Sequence, residues 1–104
     1  LNGNDTGIAI YNLVKEIFKE ELVFKTEIAI EIAVEIDAII RSIVYEDEIL
    51  IIDWQNKTDI EGKIKIAIDD YIFDLKAKYD LDISFKQIDD LVEQGLNIAK
   101  IKFV

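Results

Sequence analysis

Glu61-Gly62-Lys63, with Asp53 upstream, is the part of the chain that comes nearest to spelling out a reaction. A carboxylate and a lysine at this spacing could form the tail of a metal-dependent nuclease site, in which acids hold Mg²⁺ and the ammonium polarises the attacking water. Asp53 would be the distant acid. The context weighs against that reading. Thr58-Asp59-Ile60-Glu61 reads as a capping box, so the tripeptide opens a helix, and such tripeptides arise readily by chance among 22 acidic and 12 basic residues. Gly62-Lys63 is no phosphate-binding loop either, because Ile64 follows where a hydroxyl is needed and no glycine stands five residues before Gly62. A calcium-loop register starting at Asp80 places Asp82 and Ser84 correctly. It then puts Phe85 at the glycine position and Leu91 in place of the bidentate glutamate. Asp69-Asp70 and Asp89-Asp90 are adjacent pairs, whose side chains diverge by about 100° on a helix and cannot converge on one substrate.

Composition narrows the chemistry further. The chain has neither His nor Cys, which removes the usual neutral-pH base, thiol nucleophiles, disulfides and the common zinc ligands. Its net charge is −10, and the lysines are scattered rather than gathered into the dense basic face that phosphate binding requires. Direct nucleic-acid binding by this segment is therefore not expected. Hydrophobic residues make up 51% of the 104, enough for one cored domain, and no apolar run approaches the roughly 20 residues of a membrane span. Pro is absent and Gly numbers 4, which suits helices and argues against a turn-rich β-sandwich.

The expected architecture is all-α: a small bundle of about four helices over residues 6–24, 26–46, 58–79 and 84–100, with an extended connector at 49–54. Residues 1–7 read as a polar lead-in or linker end, and 8–104 as a single domain. The chain starts at Leu1 without a cleavable leader pattern, so a C-terminal piece of a longer protein is expected. Tyr11, Val14, Phe18 and Leu22 share one side of the first helix. The second stretch carries a conflict, because Ile28, Ile30, Ile32, Val34 and Ile36 alternate as in a strand. Helix is favoured by the absence of any turn residue from Thr26 to Glu48, by Thr26 as an N-cap, and by a wheel that aligns Ile28, Ile32, Ile36, Ile39 and Ile43. Four apolar residues, Ile49 to Ile52, suggest a connector pressed into the core, with Trp54, the only tryptophan, as its structural anchor and a partner for the indole N–H. The third helix buries Ile60, Ile64, Ile68, Tyr71, Ile72 and Leu75. Ser84-Phe85-Lys86-Gln87 caps the fourth, which turns Phe85, Ile88, Val92, Leu96 and Ala99 inward.

Two thinner apolar stripes remain: Ile30 and Val34 on the second helix, Ile66 and Phe73 on the third. By default such a stripe is covered by neighbours within the domain. The alternative is a surface that docks another protein chain, which makes these four the candidate partner-facing residues.

The order of landmarks also carries a resemblance over about residues 8–103. Tyr11-Asn12-Leu13-Val14-Lys15 opens the first helix, and Ile36-Asp37-Ala38-Ile39-Ile40-Arg41 ends the second. Ile52-Asp53-Trp54 and Thr58-Asp59-Ile60 follow, then Ile68-Asp69-Asp70-Tyr71-Ile72, Ile88-Asp89-Asp90-Leu91 and Ile98-Ala99-Lys100. The most specific part is the Asp-Trp step followed by the Ile-Asp-Asp-Tyr helix. The pattern resembles the C-terminal helical domain of the restriction (R) subunit of bacterial type I restriction-modification enzymes. That resemblance implies a non-catalytic, cytoplasmic assembly domain that docks the R subunit onto the methyltransferase subunit and touches the motor domains. The parent subunit would be an ATP-dependent, site-specific deoxyribonuclease, with ATP and Mg²⁺ held in other domains and no cofactor in this one. The alternatives are a small carboxylate-dependent metal-binding or nuclease-like domain on Asp53, Glu61 and Lys63, or an acidic mimic of DNA.

Overall fold

The isoleucine-rich stretch coils. In the computed structural model, which describes residues 5–19 and 26–104, Thr26–Val44 forms one helix despite its strand-like alternation. The alternation is incidental to the helical face: Ala29, Ile32, Ala33, Ile36, Ile40 and Val44 are buried, whereas Ile30 and Val34 are exposed. An unbroken helix satisfies all its interior amides locally, and the buried isoleucines each contribute roughly 1.5–3 kcal/mol of transfer free energy. Four helices are present among the described residues: α1 (Asp5–Ile17), α2 (Thr26–Val44), α3 (Thr58–Tyr79) and α4 (Phe85–Lys102). Each packs against two others, in the cyclic order α1, α2, α3, α4 and back to α1.

Cross-helix pairs fix the directions. Tyr79 at the end of α3 donates to Glu31 near the start of α2 at 2.9 Å, so these two run antiparallel. Glu61 at the start of α3 pairs with Lys100 at the end of α4, and Lys65 pairs with Glu93 at 3.0 Å. Gln87 at the start of α4 donates to the Ile17 carbonyl at the end of α1, 3.3 Å away. Sequential helices therefore alternate in direction, as expected for a bundle. The core runs along its axis through Ile10, Val14, Ile32, Ile36, Ile40, Ile64, Ile68, Ile72, Ile88, Leu91 and Leu96.

Several boundaries differ from the sequence reading. Helix α1 starts at Asp5, so residues 5–7 belong to its first turn rather than to a lead-in, and Thr6 and Gly7 are buried. It ends at Ile17, seven residues before the expected end; Phe18 and Lys19 form a turn, and residues 20–24, Leu22 among them, lie outside the described residues. Thr26 is the first helical residue of α2, not the residue before it. α2 stops at Val44 instead of running to 46, because Tyr45–Glu46 pairs antiparallel with Ile49–Leu50 as strands β1 and β2. Asp47 (φ 51°) and Glu48 (φ 67°) make the turn of this hairpin, both in the left-handed region that a tight two-residue connection demands. The connector at 49–54 is thus a hairpin strand and a bend, pressed inward only in part: Leu50 and Ile51 pack against the core, whereas Ile49 and Ile52 face out. Ile49 is 71% and Ile52 85% exposed.

The helix starts also differ. No capping box forms at Thr58: Lys57 holds the N-cap position without a side-chain bond, and Glu61 turns to Lys100 instead. At Ser84 the box is complete, the hydroxyl accepting from the Gln87 amide at 3.1 Å and the Ser84 amide donating to Gln87 Oε1 at 2.8 Å. Ser84→Ala should accordingly cost about 1 kcal/mol in urea unfolding, while Thr58→Ala should stay within about 0.5 kcal/mol of the parent. Equal costs at the two sites would contradict the assigned caps. The capped start also turns Phe85 outward, against the inward position read from the wheel. It is 67% exposed, lies against Phe73 at 5.7 Å between ring centroids, and carries the Lys76 ammonium 5.2 Å above its ring.

Candidate functional site

The carboxylates that could have formed a reaction centre are each engaged elsewhere. Asp53 is left-handed at φ 60° and accepts from Asn56 Nδ2 at 2.6 Å. Glu61 is tied to Lys100, and Lys63 is exposed. Among the described residues, no group of three or more Asp or Glu side chains could hold a metal ion. A Cβ added at Gly62 would meet no atom within 4 Å, so nothing passes close enough there to require glycine.

Trp54 sits at the junction of the hairpin and α3. It is fully buried, and its indole N–H donates to the Phe103 carbonyl at 2.8 Å. Gln55 Nε2 donates to the same oxygen at 3.1 Å. The Phe103 ring meets Tyr45 edge-on at 6.3 Å, and the Arg41 guanidinium lies 4.7 Å above it. Arg41 in turn donates to Asp37, a carboxylate almost wholly buried on α2, at 2.9 Å. Asp37, Arg41, Trp54 and Phe103 therefore join the ends of α2 and α4 to the short 3₁₀ turn Trp54–Asn56.

The four candidate partner-facing residues all reach the surface. Ile30 is 40%, Val34 47%, Ile66 64% and Phe73 40% exposed, so neither stripe is covered within the domain. Ile30 and Val34 lie one turn apart on α2. Ile66 and Phe73 lie two turns apart on α3, about 10 Å along the axis. The α3 pair gains from its neighbour: Phe73 meets Phe85, and Ile66 opens onto a shallow groove of about 280 Å³ with Lys65, Asp69, Asp89, Val92 and Glu93. The outward place of Phe85 does not follow from the helical spacing, which sets it in line with the buried Ile88 and Val92. Ile49 and Ile52 were missed because their run of four apolar residues reads as core.

Tyr71 on α3 has its hydroxyl buried without a hydrogen-bond partner among the described residues. Burial first, then the nearby Glu31 and Glu35 carboxylates, push its pKa above the usual phenol value, so it remains a neutral O–H donor. No helix among the described residues is long and apolar enough to cross a membrane. No protein-family model, curated protein or solved structure matches this chain.

Proposed function

We propose that this chain is a non-catalytic assembly domain of the kind its landmarks resemble, joining the R subunit of a type I restriction-modification enzyme to the methyltransferase subunit. In this reading the nuclease and the ATP-driven motor, with their Mg²⁺ and ATP, belong to other parts of the R subunit, and the domain works in the cytoplasm. The observation that carries the reading is the outer face of α3 and α4, where Ile66, Phe73 and Phe85 stand exposed beside one another's helices. Exposed aromatic and branched aliphatic side chains gathered on a rigid helix face are what a protein interface uses as anchors. The acidic surface agrees with a protein partner and would repel phosphates.

Capture of the purified methyltransferase subunit tests it. Ile66→Glu combined with Phe73→Glu should weaken capture at least about tenfold, since each charge must be desolvated in the contact. Ile30→Glu with Val34→Glu reports on the α2 stripe in the same way. Because all four positions are substantially exposed, the variants should retain the helical circular dichroism of the parent. Unchanged capture by both double variants would overturn the proposal.

A further inference from the structure

We propose that the hairpin end of the bundle is a second docking element, which receives a basic segment of another protein on Ile49 and Ile52 within a frame of acids. The two isoleucines are among the most exposed large apolar side chains of the described residues, at 71% and 85%. With Glu46, Asp47, Leu50, Ile51 and Lys57 they surround an open concavity of about 450 Å³. Glu46 and Asp47 line it beside the single Lys57, and two further carboxylates, Glu48 and Asp53, stand in the same short stretch of chain. None of the four forms an ion pair with a described residue; Asp53 accepts only from the Asn56 amide.

Charge selects the occupant. A second copy joined by a two-fold axis would bring the four acids against their own images. Nucleic acid and an anionic membrane surface would bring phosphates against them. A segment carrying Lys or Arg on either side of apolar residues covers the isoleucines and pairs the acids in one step. The backbone gives a means of separating this role from folding. Asp47 and Glu48 both hold positive φ, where Asn-Gly would make the same turn with less strain. The acids are thus held at a cost to the fold. The inference stands apart from the α3 face, which lies on a different part of the bundle.

The test uses a synthetic helical peptide with leucines on one face and lysines on the other, beside counterparts with glutamine or glutamate for lysine. Amide shifts in NMR titrations of the whole chain locate binding, and their concentration dependence gives Kd at low and high salt. The lysine peptide should move the Ile49 and Ile52 signals and lose affinity about tenfold or more at high salt. D47N/E48G should weaken it about fivefold while raising Tm by about 4–8 °C through relief of strain. Ile52→Ser, at a position too exposed to threaten folding, should weaken it without moving Tm. Shifts confined to the α2 or α3 faces, equal binding of the glutamine peptide, or unchanged affinity of D47N/E48G would overturn the proposal. So would a dimer in sedimentation that Ile52→Ser dissolves, which would make a second copy the occupant.

Discussion

Trp54→Ala is expected to destabilise the domain by about 3–5 kcal/mol, a large part of the roughly 5–15 kcal/mol that holds such a domain folded. The side chain is fully buried, so truncation leaves a cavity between the hairpin, α3 and the end of α4, and it removes one of the two side-chain donors to the Phe103 carbonyl. Trp54→Phe separates the two effects. It keeps most of the ring, and the Phe103 oxygen still receives Gln55 at 3.1 Å, so the expected cost is only about 0.5–1.5 kcal/mol for the hydrogen bond, plus a small packing loss. Because Trp54 is the sole tryptophan, unfolding has to be followed by helical circular dichroism. Amide signals of Tyr45 and Phe103 should shift in the alanine variant, since Phe103 packs against Tyr45 and Arg41 through the same junction. Equal costs for the alanine and phenylalanine variants would mean that the indole fills no essential space.

That junction shows where sequence reasoning succeeds and where it stops. A lone tryptophan beside an apolar run announces burial, and its N–H demands a partner, but nothing local names a carbonyl 49 residues away. Helix faces were legible because spacings of three and four survive in the sequence: Ile60, Ile64, Ile68, Ile72 and Leu75 are all buried as one side of α3. Helix ends were less so. Ser84 and Gln87 form their reciprocal bonds, whereas Thr58 and Glu61 show the same residue spacing without them, since Lys100 offers Glu61 a charged partner from another helix. The hairpin was hidden for a different reason. Its turn is Asp47-Glu48, with neither glycine nor asparagine to mark positive φ, so its strands merged with the helix before it and the connector after it. The candidate surface was half legible. Periodicity puts Ile30, Val34, Ile66 and Phe73 opposite the core. Whether a neighbour covers them is a tertiary fact, as is the arrival of Phe85 beside Phe73.

The helical reading of α2 predicts a division among residues that alternation would treat alike. Ile30, Ile32, Val34 and Ile36 occupy every second position, and a strand would place all four on one face. On the helix, Ile32 and Ile36 are fully buried, with Ile30 and Val34 left 40% and 47% exposed. Alanine at Ile32 or Ile36 should therefore cost about 2–5 kcal/mol, because the surrounding α1 and α3 side chains cannot close the space completely. At Ile30 or Val34 the cost should stay within about 0.5 kcal/mol, the lost contact being offset by the higher helix propensity of alanine. Urea unfolding of the four single variants reads the pattern directly, and m-values matching the parent would confine the changes to the folded state. The same four measurements bear on docking. Residues that fold can lose without cost are free to serve a partner, so near-neutral Ile30→Ala and Val34→Ala keep the α2 stripe available for contact. Four equal, large costs would instead mean that the stretch is buried on one face throughout, and neither the helix nor its outer stripe would survive that result.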